Sequence, residues 1–236
     1  MVTFDDKRFK YEEFVELDKI CFPKEPVFSE NEYNKIDKND IITIYEEKLI
    51  AYGIIKRLEN DIYLYRLAVH PDYRRKGYAT KIMNYVKEKI GKNKKIELKV
   101  VENNKSAVMF YKRNGFNVIG KMVQFEIGYD EINNIKEGKI RSIVINNKDN
   151  VYDIHFCLKE NNENIGECHF DDDFSGCLGF DLKESNYMKD ALFCLRQYMK
   201  KKIRLIITTE CENVIAACRG KAIKENYVVL KMLYDV

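Results

Sequence analysis

The sequence predicts an α/β fold in which a mixed, mostly antiparallel sheet is flanked by helices and followed by a smaller C-terminal α/β domain. Apolar, β-branched runs separated by short polar turns fill residues 41–69, as expected of antiparallel strands. Strand and helix patterns then alternate, which predicts a sheet with helices on both faces. The clearest helical spacing is shown by Ala79, Ile82, Met83, Val86 and Ile90.

The elements of the first half follow one another in a defined order. A helix is predicted over Tyr11–Cys21, where Phe14, Leu17 and Cys21 share one face before Pro23. The remaining predictions are a short helix at 29–35, strands at 41–46, 49–58 and 62–69, a helix from Gly77, a strand at 96–101, a helix from Asn104, and strands at 117–119 and 122–129.

Residues 67–80 predict an anion-binding turn between a strand and a helix. Pro71 ends the strand, and the helix begins after Gly77. The first N–H groups of a helix lack partners within it and lie at the positive end of its dipole, so a small-residue turn there can bind phosphate. Gly77 and Ala79 leave room for the anion. Positive charge is added by Arg74, Arg75 and Lys76.

This turn resembles the acetyl-CoA signature of the GNAT N-acetyltransferases, which is arginine or glutamine, two residues, glycine, one residue, and glycine or alanine. Here the signature reads Arg74-Arg75-Lys76-Gly77-Tyr78-Ala79. The run Ala68-Val69-His70-Pro71-Asp72-Tyr73 stands before it, as such a run commonly does in that superfamily. The resemblance covers residues 1 to about 130 and implies the GNAT fold, with acetyl-CoA as co-substrate.

A second block extends the resemblance. Asn104, Ala107, Tyr111 and Gly115-Phe116 resemble the next conserved block of the superfamily in order and spacing. Asn104 can cap a helix, and Gly115 stands where a helix ends in a left-handed residue. In relatives the asparagine end faces the pantetheine arm and the tyrosine reaches the thioester sulfur. The resemblance implies these roles here, with a packing role for the Tyr111 ring as the alternative.

The resemblance implies direct transfer of an acetyl group to a primary amine, borne by a small molecule or a peptide N-terminus. Tyr111 would protonate the leaving thiolate, and a main-chain N–H, that of Val69, would hold the thioester oxygen. The implied cofactor-binding residues are Leu67, Ala68, Val69, Arg74, Arg75, Lys76, Gly77, Tyr78, Ala79, Thr80, Asn104, Ala107 and Tyr111.

The sequence departs from the family at the general base. Many relatives have a carboxylate at the end of the fourth strand, whereas the matching positions here are Tyr65 and Arg66. Glu46, Glu59 and Asp61 are weak substitutes. The base is therefore unassigned, and an alternative stays open: a non-catalytic acyl-CoA-binding protein whose C-terminal domain binds a partner or ligand.

The second half repeats the pattern of the first more faintly. Polar residues 131–138 predict a linker between a domain at 1–132 and an α+β domain at 139–236. Strands at 151–159, 165–170, 176–182, 203–208 and 228–234 alternate with helices at 187–200 and 213–220. This order predicts a degenerate, truncated GNAT-like repeat, with an unrelated α+β extension as the alternative. Asp181 and Glu184 stand where the basic turn would be, so this half should not bind CoA.

Composition and charge argue against other classes of function. A net charge of +3 without a basic aromatic stripe indicates no nucleic-acid partner. No apolar run approaches the ~18 residues of a membrane span, and residues 1–14 do not resemble a signal peptide. Seven cysteines without regular spacing predict reduced thiols in the cytoplasm. We expect a monomer or homodimer.

A metal site is the remaining alternative. His155, Cys157, Cys168 and His169 are possible zinc ligands by residue type. Adjacent strand residues face opposite sides of a sheet, so 168 and 169 cannot both join 155 and 157. Small buried cysteines in strands are common. We therefore predict no metal.

Overall fold

A computed structural model describes residues 10–23, 27–58, 61–90, 94–136, 141–145, 154–171, 176–196, 204–221 and 223–235. The helices are α1 (Tyr11–Cys21), α2 (Glu30–Lys35), α3 (Tyr78–Ile90), α4 (Lys105–Arg113), α5 (Tyr129–Asn133), α6 (Met188–Arg196) and α7 (Glu212–Gly220). The strands are β1 (Ile41–Tyr45), β2 (Leu49–Arg57), β3 (Ile62–Val69), β4 (Lys95–Val101), β5 (Asn117–Gly128), β6 (Arg141–Ile145), β7 (Ile154–Glu160), β8 (Glu163–Asp171), β9 (Gly176–Leu182), β10 (Arg204–Thr209) and β11 (Lys224–Asp235).

The first of two compact units comprises Met1–Val100, Lys105–Ile119 and Lys231–Val236. β1 and β2 form an antiparallel hairpin, and β2 pairs antiparallel with β3. β3 and β4 are parallel, so a crossover connection, α3, joins them. The end of β11 belongs to this unit, and β11 follows β4 in the strand order.

Helices cover both faces of this sheet. The ring of Phe14 in α1 packs against that of Tyr52 in β2, with centroids 5.0 Å apart. Ile82 of α3 lies over Gly53, the next residue of the same strand. Successive strand residues face opposite sides, so α1 and α3 enclose β2 between them.

The second unit comprises Val101–Asn104 and Gly120–Leu230. Its strand order is β11, β5, β10, β9, β8, β7 and β6. β9 and β10 are parallel and are joined by α6, whereas β10 is antiparallel to β5 and β8 is antiparallel to both β9 and β7. Its buried core includes Phe125, Ile127, Phe180, Met188, Leu192, Leu195, Val214 and Cys218.

Most predicted elements are confirmed, with three corrections. The strands predicted at 117–119 and 122–129 are one strand, β5, which pairs with β10 from Val123 to Gly128. α5 occupies part of the predicted linker, because Ile132 is buried and the Glu131 carboxylate accepts the Gly128 N–H at 3.2 Å. β6 was not predicted, and it pairs with β7. The predicted strand starts at residues 151 and 203 and the helix end at residue 200 lie outside the described residues.

The compact units do not follow the predicted linker. Residues 120–132 belong to the second unit, and residues 231–236 belong to the first. The order β8, β9, α6, β10, α7, β11 repeats the order β2, β3, α3, β4, α4, β5. This agrees with the predicted repeat, which stays a hypothesis, as does the division into domains at 1–132 and 139–236.

Candidate active site

The end of β3 is paired on one side. β2 pairs with β3 as far as Val69, which lies opposite Ala51. β4 pairs with β3 over Ile62–Leu64, and the described strands show no pair beyond it. The parallel strands therefore part, and the end of β3 keeps an edge that an extended ligand can join as an added strand.

The direction of the N–H groups identifies which residues face this edge. His70 N–H donates to the Ile50 carbonyl of β2 at 2.8 Å. Because N–H groups alternate in direction along a strand, those of Leu67 and Val69 point to the opposite edge. Leu67 and Val69 are half-buried and Ala68 is buried. The N–H of Val69 thus faces the side where the strands have parted.

A β-bulge lies just before this edge. Ile54 pairs with Arg66 while Ile55 pairs with Leu64, so Tyr65 is an extra residue in β3. A bulge bends a strand and increases its twist. The bulge was not predicted, since Tyr65 continues a regular alternation in the sequence.

The turn between β3 and α3 is open at its glycine. The first hydrogen bond of α3 runs from Lys81 N–H to the Gly77 carbonyl at 3.0 Å, so the amides before Lys81 precede the helical ladder. Gly77 has a φ of +85°, which suits glycine, and a Cβ there would meet no atom within 4 Å. The turn is thus open at Gly77 and lies at the positive end of the helix, a position at which proteins bind phosphate.

The predicted basic residues of the turn have different surroundings. Arg74 Nε donates to the Val69 carbonyl at 3.1 Å and ties the turn to the end of β3. Arg75 and Lys76 are exposed. These two side chains are accessible to a ligand at the turn, while Arg74 also positions the strand.

The first turn of α3 contains the predicted residues Tyr78, Ala79 and Thr80. The Tyr78 hydroxyl donates to the carboxylate of Glu46, between β1 and β2, and this hydrogen bond raises the pKa of Tyr78. Ala79 is half-buried and Thr80 is exposed. Glu46 thus anchors the turn to the β1–β2 connection.

The end of α4 holds Tyr111 in place. Phe116 N–H donates to the Tyr111 carbonyl at 3.1 Å and Gly115 N–H to the Lys112 carbonyl at 3.0 Å, which are the two bonds of a Schellman motif. Gly115 has the left-handed φ that this motif needs, +86°. The Phe116 ring packs edge-on against Tyr111 at 5.7 Å. The Gly-Phe pair therefore orients the tyrosine from behind.

Burial raises the pKa of Tyr111 to about 12. Its hydroxyl is therefore protonated at neutral pH and can donate a hydrogen bond. Asn104 immediately precedes α4, and Ala107 is half-buried in the helix. Lys87 of α3 donates to the Asn114 carbonyl at 2.5 Å, so α3 adjoins the end of α4.

Asp18 is a buried carboxylate that was not predicted. Arg66 Nε contacts Oδ1 at 2.7 Å and Nη2 contacts Oδ2 at 3.0 Å, while the Tyr52 hydroxyl also donates to Oδ1. An arginine that holds both oxygens leaves the carboxylate unsuited to act as a base. The available signal was the position of Asp18, four residues after Phe14 on the apolar face of α1.

The predicted substitutes for the general base are engaged elsewhere. Glu46 accepts the Tyr78 hydroxyl, and Asp61 accepts the N–H of Lys95 at 2.9 Å. Glu59 lies outside the described residues. No base is assigned from these residues.

In the second unit, β9 takes the place that β3 has in the first. Side chains donate hydrogen bonds to the carbonyls at the end of β9. The Thr209 hydroxyl donates to the Phe180 carbonyl at 2.6 Å. Asn213 Nδ2 donates to the carbonyls of Leu182 at 3.1 Å and Lys183 at 2.6 Å. These carbonyls at the end of β9 already have partners from β10 and α7.

Within the described residues, no group of three or more His, Cys, Asp or Glu side chains is placed to hold a metal. The side chains of His155 and His169 are not among those described. No helix in the described part of the chain is long and apolar enough to cross a membrane.

The first half of the chain is similar to a known protein family. The family model of the GNAT acetyltransferases matches residues 10–116, which include β3, the turn, α3 and α4. No curated protein matches the chain by sequence.

Solved structures show the same fold over most of the chain. A GCN5-related N-acetyltransferase from Sphaerobacter thermophilus is 9% identical, with 94% of this chain and 91% of that chain covered and a TM-score of 0.67. A provisionally assigned acetyltransferase from Pyrococcus horikoshii is 13% identical, with 100% and 88% covered and a TM-score of 0.70. A glucosamine N-acetyltransferase region of a fungal multi-domain β-N-acetylglucosaminidase is 11% identical, with 99% and 38% covered and a TM-score of 0.65. The predicted fold class is confirmed.

Proposed function

We propose that this protein transfers an acetyl group from acetyl-CoA directly to a primary amine, because the GNAT acetyltransferase family model matches residues 10–116. The junction of β3 and α3 supports this most. There a strand edge left unpaired by β4 leads into an open turn at a helix N-terminus. One stretch of main chain thus offers groups for both a pantetheine arm and a diphosphate.

Each part of the candidate site has its own role in binding. Residues 67–69 hold the arm along the strand edge, and the amides of residues 77–80 hold the diphosphate, with Arg75 and Lys76 adding charge. Asn104 and Ala107 would line the arm from the side of α4. Acetyl-CoA supplies the acetyl group as an activated thioester. The Val69 N–H faces the open edge, where it can stabilise the oxyanion.

Tyr111 serves as the proton donor to sulfur. Its pKa of about 12 lies far above the ~8.5 of an ordinary thiol, so giving up its proton alone is unfavourable. The phenol must regain a proton from the attacking nitrogen as it gives its own to sulfur. The C–N bond forms, the C–S bond breaks, and one proton moves in effect from nitrogen to sulfur.

The amine must be neutral to attack. At pH 7 roughly 1 in 2,500 molecules of an alkylamine with a pKa near 10.4 is neutral. With no general base assigned, we expect the reaction to draw on this fraction and to be slow at neutral pH.

Amine-dependent release of CoA thiol tests the proposal. Acetyl-CoA would be incubated with the protein and, separately, a lysine-free pentapeptide with a free N-terminus, spermidine, or glucosamine. We expect saturable thiol release with at least one amine and an acetylated product by mass spectrometry. Binding of acetyl-CoA without thiol release on any amine would contradict the transferase.

The alternative is a non-catalytic acyl-CoA-binding protein whose C-terminal half binds a partner or ligand. One observation favours it: the carboxylate next to β3, Asp18, is held by Arg66. The same assay separates the two functions, because the alternative predicts binding without turnover.

A further inference from the structure

A buried ion pair joins α1 to β3 next to the bulge. Arg66 binds both oxygens of Asp18, at 2.7 and 3.0 Å, and the Tyr52 hydroxyl donates to the same carboxylate. Asp18 is 2% exposed and Arg66 9%. A buried ion pair needs good geometry and added hydrogen bonds to offset its loss of water, and this group provides both.

Two aromatic rings cover the Arg66 guanidinium. Its Cζ lies 3.9 Å from the centroid of Phe22 and 5.1 Å from that of Phe28. Phe22 follows α1, and its N–H donates to the Asp18 carbonyl at 2.8 Å. Phe28 precedes α2, and its ring packs edge-on against Tyr65. One side chain therefore contacts both ends of the connection between α1 and α2.

Arg66 also has a particular place on β3. It lies between the bulged Tyr65 and the edge at residues 67–69. Cys21 Sγ contacts the Val69 carbonyl at 3.4 Å, which links the end of α1 to the end of the same strand. Arg66 and Cys21 thus both link the α1–α2 connection to the last residues of β3.

We infer that Arg66 is a positioning residue for the amine acceptor, holding Phe22 and Phe28 against β3 next to the strand edge where the acetyl group is transferred. The inference rests on the proposed function. Asp18 and Tyr52 act through Arg66 by fixing its guanidinium plane. Lysine cannot replace arginine here, because one ammonium group cannot bind both carboxylate oxygens while lying flat against two rings.

The test is a double-mutant cycle with Arg66→Lys and Phe22→Leu. The Michaelis constants for acetyl-CoA and for the amine would be measured with spermidine and with a lysine-free pentapeptide. Each single variant should raise the amine KM about five- to tenfold, from loss of a desolvated cation–π contact, and change the acetyl-CoA KM less than about twofold. The double variant should raise the amine KM no more than the more strongly affected single variant does, because both changes remove the same contact.

Arg57→Lys is the matched control. Arg57 Nε also binds an aspartate, Asp40, at 2.6 Å, but its side chain is 54% exposed. This variant should leave both KM values unchanged. Phe22 is half-buried, so Phe22→Leu keeps the test usable if Arg66→Lys unfolds. Equal rises in both KM values, or additive effects in the double variant, would overturn the inference.

Amide hydrogen exchange separates this inference from the proposed function. If acetyl-CoA binds but none of the three amines is acetylated, the transferase fails and the acceptor role of Arg66 fails with it. If an amine is acetylated, Phe22 N–H should exchange at least about tenfold faster in Arg66→Lys than in Arg57→Lys. Equal exchange would refute positioning by Arg66 while leaving the transferase intact.

Discussion

The N–H of Phe116 donates a hydrogen bond to the carbonyl of Tyr111 at 3.1 Å, so the proposed proton donor is placed by residues that follow its helix. Gly115 makes this geometry possible. Its φ is +86°, and a Cβ at this position would lie 3.1 Å from the ring of Tyr234. Both the dihedral angle and the close ring argue for glycine here.

Gly115→Ala should destabilise the protein by about 1–2 kcal/mol, the usual cost of a left-handed dihedral angle, and should lower turnover by displacing Tyr111. Urea unfolding and thiol release would measure the two effects. Gly220→Ala is the control, because a Cβ at Gly220 meets nothing within 4 Å. It should change stability by less than about 0.5 kcal/mol. Equal losses in the two variants would refute the role of the motif.

Gly77 allows a test of the diphosphate turn. Gly77→Ala and Gly77→Glu share the strain of a φ of +85°. The space in front of the residue is open, so the two differ mainly in the charge they bring to it. We expect Gly77→Glu to weaken acetyl-CoA binding at least about tenfold, or ~1.4 kcal/mol, and Gly77→Ala far less. Calorimetric titration of acetyl-CoA would measure this, and equal affinities would contradict the assignment of the turn.

Tyr111→Phe removes the proposed donor while keeping the ring that packs on Phe116. Turnover should fall about 100-fold or more, the usual contribution of general acid–base catalysis, with little change in acetyl-CoA affinity. Steady-state kinetics and calorimetry would establish the two values. Undiminished turnover would leave Tyr111 with a packing role alone.

The raised pKa of Tyr111 predicts a pH profile without a falling limb below pH 10. A donor must be protonated, and a phenol with a pKa of about 12 keeps its proton throughout this range. The rate should therefore rise with pH as more of the amine becomes neutral. Initial rates between pH 6 and 10 would test this. A decline near pH 9 that disappears in Tyr111→Phe would show that the pKa is not raised.

Each chain should bind one acetyl-CoA. In the second unit, Thr209 and Asn213 already donate to the carbonyls of Phe180, Leu182 and Lys183. A pantetheine arm that paired there would have to displace these hydrogen bonds. No basic turn stands there to offset their loss by binding the diphosphate. Native mass spectrometry and calorimetry would give the stoichiometry. Two equivalents per chain, with the second lost on mutation of the second unit, would contradict this prediction.

Features set by neighbouring residues were predictable. The turn at Gly77 and the motif at Gly115 depend on dihedral angles and hydrogen bonds within a few residues, so the sequence indicates them directly. β5 is continuous through Gly120-Lys121, and its neighbouring strands, β10 and β11, lie far along the chain, so this polar step was wrongly interpreted as a break.

Features set by distant partners were missed. Asp18 appears in the sequence as one more charged residue of an amphipathic helix, and its burial follows from Arg66, 48 positions away. The bulge at Tyr65 arises from register with β2, which spacing within β3 does not reveal. The backbone geometry at Gly77 and Gly115 was thus predictable from local pattern, whereas the Asp18–Arg66 ion pair and the bulge at Tyr65 depend on tertiary contacts.

Residues 231–236 belong to the first compact unit, and the Tyr234 ring packs on Phe116. During synthesis on the ribosome, residues 10–119 would therefore emerge long before the segment that completes their unit. Until that segment arrives, Phe116 lacks one of its covering rings, and folding cannot finish in the usual N-terminal-first manner. A version of the protein that ends at residue 132 would lack this covering ring permanently.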